Sequence, residues 1–314
     1  MSERKPVVLV TAADLAPEAL ALLTDYEVVY AGKTPSEHDI VALCGQHDPV
    51  AIIVRYGKVG ASAIAAAPSL RVISKHGSGT DTIDKVAAAA RGVEVRAAVG
   101  ANAAAVAEQA LALMLACAKS VPTLDARMRS GHWDKSTHKS LELHGRTVGL
   151  VGLGAIGVRF ARMATSLGMN VLGFDPYAKE LPDFVRRASL DTLWRESDVI
   201  SLHCPLTEEN RNLLDAGTLG KCKRGVIVVN TARGGLVDED ALLAAVRSGQ
   251  VRAAGLDSFA VEPMIQGHPF QNEAGIILSP HIGGVTSDAY VNMGVAAVRN
   301  LRSVIEGVPA EAFA

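Results

Sequence analysis

Aromatic residues make up only 4% of this 314-residue chain, too few to furnish the stacked platforms on which single-stranded nucleic acids bind. An excess of one charge is missing as well. Lys and Arg total 31 against 33 Asp and Glu, a formal net charge of −2, and such a chain offers no global field for nucleic acid or an anionic membrane. Cysteine is sparse: Cys44, Cys117, Cys204 and Cys222 lie far apart with no C-x-x-C pair. That excludes a zinc spacing and a disulfide framework and leaves reduced thiols as the expectation. No histidine grouping has metal-ligand spacing, so no metal is expected. Long apolar runs are also lacking. Val7–Val10 is too short for a signal-peptide core, and Ala103–Ala118 is interrupted by Glu108 and Gln109 and falls short of a membrane span. A cytoplasmic location is the expectation.

What is present is a chain that is 49% hydrophobic with 29 Gly, the profile of a globular protein with room for two domains. Short β-branched runs alternate with Ala/Leu-rich segments, the pattern of βαβ units around a parallel sheet. The first third predicts strands at Val7–Thr11, Glu27–Tyr30, Ala51–Arg55, Arg71–Ser74 and Val93–Arg96, with helices at Glu18–Thr24, Ser36–Gln46, Ser62–Ala67 and Asp84–Arg91. One long helix follows over Asn102–Lys119, then a polar, irregular excursion from Pro122 to Gly145. A second series predicts strands at Thr147–Val151, Asn170–Phe174, Val199–His203, Val226–Asn230, Ala253–Asp257 and Ile276–Ser279. Its helices fall at Ala155–Leu167, Leu190–Glu196 and Asp238–Ser248, before a last helix from Thr286 to about Ile305.

The sharpest motif is Gly152-Leu153-Gly154-Ala155-Ile156-Gly157, between a strand and a helix. Gly152 permits the tight turn, Gly154 lets backbone approach a pyrophosphate, and Gly157 lets the helix lie close on the sheet. The following strand runs into Asp175, 18 residues after Gly157, near the spacing of the acid that binds the adenosine ribose. A carboxylate there repels a 2′-phosphate and favours NAD over NADP. Methyl donors also use glycine loops, a weaker reading.

Later strands end in ionisable residues. Arg233 follows Val226–Asn230 on a glycine-rich loop, where a guanidinium can grip a substrate carboxylate; an arginine paired with a surface acid reads equally well in isolation. His281 and Glu262 sit on loops after the next strands. A histidine titrating near neutrality suits the proton transfer that accompanies hydride transfer to a ketone, and a carboxylate beside it fixes the ring and raises its pKa. Ser78 between His76 and Asp81 has no G-x-S-x-G around it and is no hydrolase triad.

At these residues the sequence resembles the D-isomer-specific 2-hydroxyacid dehydrogenases. The resemblance rests on Lys75-His76-Gly77-Ser78-Gly79-Thr80-Asp81, Asn102 to Glu108, Gly152–Gly157, His203-Cys204-Pro205-Leu206-Thr207, Asn230 to Gly235, Leu256-Asp257, Glu262-Pro263 and Ser279-Pro280-His281. It implies an α/β fold of two Rossmann-like or flavodoxin-like domains with parallel sheets. An NAD-binding domain, 99–284, is then inserted into a discontinuous substrate domain, 1–98 and 285–314. By the same resemblance Arg233 is the carboxylate-binding arginine, His281 the acid/base and Glu262 its partner. The nucleotide site would draw on Gly152, Gly154, Ala155, Ile156, Gly157, Asp175, His203, Cys204, Pro205, Thr207, Thr231, Ala232, Arg233, Asp257, His281 and Gly283. Within that set Asp257 lies near the nicotinamide carboxamide, and Cys204 and Pro205 wall the adenine pocket. Substrate would be held by Arg55, Lys75, Ser78, Gly79, Asn102 and Arg233, with the Ser78 and Gly79 backbone as a carboxylate cradle.

The resemblance is closest in flavour to short-form D-3-phosphoglycerate dehydrogenases, but Tyr56-Gly57-Lys58 replaces the usual Ser after Arg55, which puts 3-phosphate recognition in question. Arg55, Lys58 and Lys75 suit a second anionic group or, equally, a salt-bridged surface cluster. With the sequence reaching Ala314, a serine-binding regulatory domain is not expected. The expected activity is NAD-dependent interconversion of a small D-2-hydroxy acid (phosphoglycerate-like, sulfolactate-like, or glycerate) and its 2-keto acid, by a homodimer joined through the 102–145 region. The alternative is an NAD(H)-sensing binding protein of corepressor type.

Overall fold

Val- and Ile-rich runs separated by Ala-rich segments produce βα succession throughout the computed structural model, which describes residues 5–310. The chain divides into two compact units, Met1–Asn102 with Gly284–Ala314, and Ala103–Gly283. The first contains β1 (Val7–Val10), α1 (Pro17–Leu20), β2 (Glu27–Tyr30), α2 (Glu37–His47), β3 (Ala51–Val54), α3 (Ala61–Ala66), β4 (Val72–Lys75), α4 (Lys85–Ala90) and β5 (Glu94–Ala97). Its strands pair in the order β2-β1-β3-β4-β5, every neighbour parallel.

Successive residues of β1 and β3 feed opposite faces, as period-two geometry requires. Val8, Val10, Ala51 and Ile53 join one core; Leu9, Ile52 and Val54 join the other, against Ile40, Cys44 and Ile64. Burial on both faces is what a parallel sheet needs. The first core is completed by Ala297, Val298 and Leu301, which come from the last helix of the chain. Full burial of Val298 and Leu301 stabilises that packing by about 1.5–3 kcal/mol each.

The second unit opens with α5 (Ala103–Lys119) and α6 (Val121–Arg129). It continues through β6 (Thr147–Val151), α7 (Ala155–Ser166), β7 (Asn170–Phe174), β8 (Arg186–Arg187), α8 (Leu190–Glu196), β9 (Val199–Leu202) and α9 (Ala216–Lys221). It ends with β10 (Val226–Asn230), α10 (Glu239–Arg247), β11 (Val251–Leu256) and β12 (Ile276–Leu278), after which α11 (Ser287–Glu306) returns to the first unit. The sheet order is β12-β11-β10-β9-β6-β7-β8, again all parallel, the doubly wound arrangement with its reversal between β6 and β9. Helix α5 lays Ala107, Ala110, Met114 and Cys117 into the core beneath β10 and β11, a stripe at helical spacing. Among the described residues no single helix is long and apolar enough to cross a membrane.

Several departures from the sequence expectation have physical causes. The excursion after Pro122 begins as helix α6: Ser120 takes a left-handed conformation with φ 54° and breaks α5, and Pro122 sits in the first turn of the new helix, where its missing N–H costs nothing. Helix α9, overlooked because two glycines weaken its propensity, is capped by Asp215, which accepts the Thr218 N–H at 2.7 Å. Segment Glu18–Thr24 is divided between α1 and a 3-10 turn at Ala21–Leu23. Thr11, Arg55, His203, Asp257 and Ser279 lie one step beyond their strands, on the carboxyl edges of the two sheets.

Candidate active site

Gly152 stands at the sharp turn between β6 and α7 with φ +93°, a conformation that favours glycine. A Cβ there would lie 2.7 Å from the carbonyl carbon of His203. A Cβ on Gly157 would fall on the Gly152 carbonyl, whereas above Gly154 there is open space within 4 Å. Backbone is thus closed beneath the loop and open above Gly154. The helical ladder starts with Val158 N donating to Gly154 O at 3.0 Å, so the N–H groups of Ala155, Ile156 and Gly157 precede it and face an anion site.

Asp175 follows β7 and closes this cradle. Its Oδ2 accepts the Leu153 N–H at 2.8 Å, and its Oδ1 accepts those of Tyr177 and Ala178 at 2.9 and 3.1 Å. Arg187, on the neighbouring edge strand, donates to the carbonyls of Ala178 and Lys179 at 2.7 and 3.2 Å. After β9, His203 bonds Ser201 Oγ through Nε2 at 3.0 Å, and burial pushes its imidazole down to about 4. The ring is neutral at physiological pH. Burial pushes the Cys204 thiol up to about 11, which leaves no thiolate for nucleophilic chemistry. Asn210 closes that loop, donating to Pro205 O at 2.8 Å and accepting the Thr207 N–H at 2.7 Å. The buried Nδ1 of His203, Oγ1 of Thr231 and Oγ of Ser258 have no hydrogen-bond partner. The glycine cradle, open above Gly154, and the acid after β7 together fit a dinucleotide.

The loop after β10 is pinned by Asn230, a residue the sequence reading passed over. Its Nδ2 donates to Arg233 O at 2.8 Å and its Oδ1 accepts the Ala232 N–H at 3.0 Å. The signal was available: a fully buried amide closing the run Val226–Val229 demands partners. The loop after β11 then packs directly on Gly234, where a Cβ would collide with the backbone of Phe259 and Ala260. Glu262 on that loop accepts the Phe259 N–H at Oε1, 2.9 Å, and Oε2 lies 2.7 Å from His281 Nδ1. The three ionisable residues singled out in the sequence thus lie on adjoining loops of the second unit.

The Glu262 hydrogen bond lifts the His281 imidazole above its ordinary value of 6.5, over the opposing effect of burial. Burial pushes the Glu262 carboxyl up, but the bonds from His281 and the Phe259 N–H outweigh it and leave that carboxyl below the usual range. The pairing favours the charged imidazolium beside a carboxylate over the neutral ring. His281 has φ 54°, unusual for a non-glycine residue and typical of positions that a surrounding structure over-determines. Asp257 supplies that determination: buried, it accepts the Ile282 and Gly283 N–H groups at 3.0 and 2.7 Å and the Ser279 hydroxyl at 2.6 Å. Gln109 of α5 donates to Ser279 Oγ at 2.9 Å. The polar interruption in an apolar helix is thus the anchor of the His281 loop.

The remaining candidates lie in the first unit, at the carboxyl edge of its sheet. Lys75 Nζ donates to Arg55 O at 3.1 Å, and Ser78 Oγ donates to Asn102 Oδ1 at 3.1 Å. Gly79 is half-buried beside Ser78. Arg55 pairs with Asp14 at 2.9 Å and Lys58 with Glu37 at 4.0 Å, so these two are salt-bridged.

Residues 111–283 match the family model described as D-isomer specific 2-hydroxyacid dehydrogenase, NAD binding domain. The chain belongs to this family. A D-3-phosphoglycerate dehydrogenase of Mycobacterium tuberculosis is 40% identical over 306 residues, covering 96% of this chain and 57% of that protein. A hydroxypyruvate reductase of Thermotoga maritima is 39% identical over 289 residues, covering 91% of this chain and 94% of the other. The crystal structure of a glyoxylate reductase from Paecilomyes thermophila superposes with a TM-score of 0.86 at 31% identity, over 96% of each chain. This 2-hydroxyacid dehydrogenase family member thus spans a little over half the length of the phosphoglycerate dehydrogenase and nearly the full length of the two reductases. Its cofactor is a nicotinamide dinucleotide, in keeping with the matched domain.

Proposed function

We propose that the protein is an NAD-dependent oxidoreductase that interconverts a small D-2-hydroxy acid and its 2-oxo acid. The observation that carries this reading is the His281–Glu262 pair at 2.7 Å beside Arg233, on loops that leave the same edge of the sheet as the glycine cradle. Bound nicotinamide supplies or accepts the hydride. The chain's own residues do the rest. Arg233 holds the substrate carboxylate with its two-pronged guanidinium. His281 keeps Nδ1 on Glu262, so Nε2 gives a proton to the substrate oxygen during reduction and takes one from the hydroxyl during oxidation. Glu262 fixes the ring and stabilises its charged form. In the first unit, the candidates for substrate binding are the backbone of Ser78 and Gly79, with Lys75, Arg55 and Asn102.

Asp175 favours NAD over NADP, because a 2′-phosphate would meet a carboxylate. Exposed Val121, Met128 and Trp133 on and after α6 support a homodimer, to be checked by light scattering. The four free cysteines accord with a cytoplasmic location, testable by fractionation. The deciding experiment follows NADH absorbance with a panel of 2-oxo acids. His281→Ala should lower turnover by about 10²- to 10⁴-fold with NADH binding retained; unchanged turnover would remove His281 from the mechanism. NADH binding without turnover of any panel member would favour the sensing alternative.

A further inference from the structure

The strand order of the first unit reverses between β1 and β3, and open parallel sheets place their ligand crevice outside the carboxyl ends at such a point. Asp14 stands in the loop after β1, and Arg55 follows β3. Arg55 Nη1 donates to Asp14 Oδ1 at 2.9 Å, and the Tyr290 hydroxyl of α11 donates to the same oxygen at 2.7 Å. The guanidinium is clamped between rings, 4.6 Å from the Tyr290 centroid and 5.0 Å from that of Tyr56. The Asp14 side chain is 69% exposed and that of Arg55 24%, so within this pair the carboxylate is the more accessible charge. The Tyr290 hydrogen bond, with the charge and hydrogen bond of Arg55, holds the Asp14 carboxyl below its usual range, and it is ionised at neutral pH.

This pairing determines what the edge can accept. An arginine open to solvent offers a forked donor set to a phosphate. Here part of the fork is committed, its charge is matched, and a dianion would meet the exposed Asp14 carboxylate at short range. A hydroxyl has the opposite fit, since it can donate to Asp14 and accept from Arg55. We propose that Asp14 is a specificity-determining residue, which together with Arg55 selects a short 2-oxo acid with an uncharged, hydroxyl-bearing far end over its phosphate ester. The proposal rests on the reading above, in which the first unit holds the substrate.

The test compares kcat/KM for hydroxypyruvate and for 3-phosphohydroxypyruvate, with NADH, in the natural protein and in Asp14→Asn. Asparagine keeps an oxygen for Tyr290 and removes the charge. The natural protein should favour hydroxypyruvate, and at low ionic strength Asp14→Asn should move the ratio toward the phosphate ester by about tenfold, the size expected of one exposed charge a few ångströms from a dianion. A melting temperature and NADH affinity equal to the natural protein's establish that the variant is folded; Asp14→Ser serves if it is not. A natural preference for the phosphate ester, or an unchanged ratio in the folded variant, overturns this inference and leaves the dehydrogenase reading standing. No turnover of any 2-oxo acid by protein that binds NADH overturns both.

Discussion

Replacing Gly152 by alanine tests the cradle at its tightest point. A Cβ would lie 2.7 Å from the His203 carbonyl carbon and 2.8 Å from both its oxygen and the Cys204 nitrogen. To restore an ordinary contact near 3.4 Å, the backbone after β9 must retreat by about 0.7 Å. That backbone cannot yield easily. Strand β9 is paired on both sides, to β6 and β10, and His203 N donates to Val151 O at 2.7 Å across the gap that would open. The new side chain must also adopt φ near +93°. Backbone strain of about 1–3 kcal/mol adds to an overpacking cost of about 1–3 kcal/mol, so Gly152→Ala should lose roughly 2–6 kcal/mol of stability. Thermal unfolding of the purified variant should show a loss of several degrees or more in Tm, and NADH titration by fluorescence should show affinity reduced about tenfold or more. A variant with natural Tm and natural NADH affinity would refute the claim that this turn is closed against a side chain.

Other substitutions probe the proton-transfer pair and its supports. Gly234→Ala should force back the loop that carries Glu262 and cut kcat by about a hundredfold, the scale of an ångström's misplacement; unchanged kcat would show that the loop adapts. Glu262→Gln removes the charge that raises the His281 pKa. Reduction consumes the imidazolium proton, so the rate is full at low pH and falls as pH rises through the raised pKa. The variant's alkaline limb should therefore lie at lower pH, and an unmoved profile would dissolve the pairing. Asp257→Ala leaves the Ser279 hydroxyl and the Ile282 and Gly283 N–H groups without their acceptor. It should destabilise by about 3 kcal/mol and lower kcat more than NADH affinity; equal losses in both would count against a role in holding the His281 loop.

The parallel strands were legible because burial on both faces demands continuous apolar runs, and the glycine loop because its strand and helix flank it in order. Arg233, Glu262 and His281 could be named from their places after successive strands, since the carboxyl edge of an open sheet gathers such residues whatever their separation in sequence. Their supports were not legible. Gln109 and Asp257 work through bonds between separate elements, 170 positions apart in the case of Gln109 and Ser279 and 22 in the case of Asp257 and Ser279, and no local pattern encodes those pairings. Arg55 shows the limit most clearly. Its neighbours in sequence are Lys58 and distant Lys75, which read as an anion site; its neighbours in space include Asp14 and Tyr290, and these change its chemistry.

The return of α11 fixes an order of events during synthesis. Ala297, Val298 and Leu301 are buried with Val8, Val10 and Ile53, so one face of the amino-terminal sheet is covered only in part, by Leu15, Ala19 and Leu23, until α11 emerges. The intervening unit has all its own strands by Leu278 and can consolidate first. Domains usually mature from the amino terminus onward; here the half that is made first is finished last, and its apolar face must be shielded from aggregation in the interval.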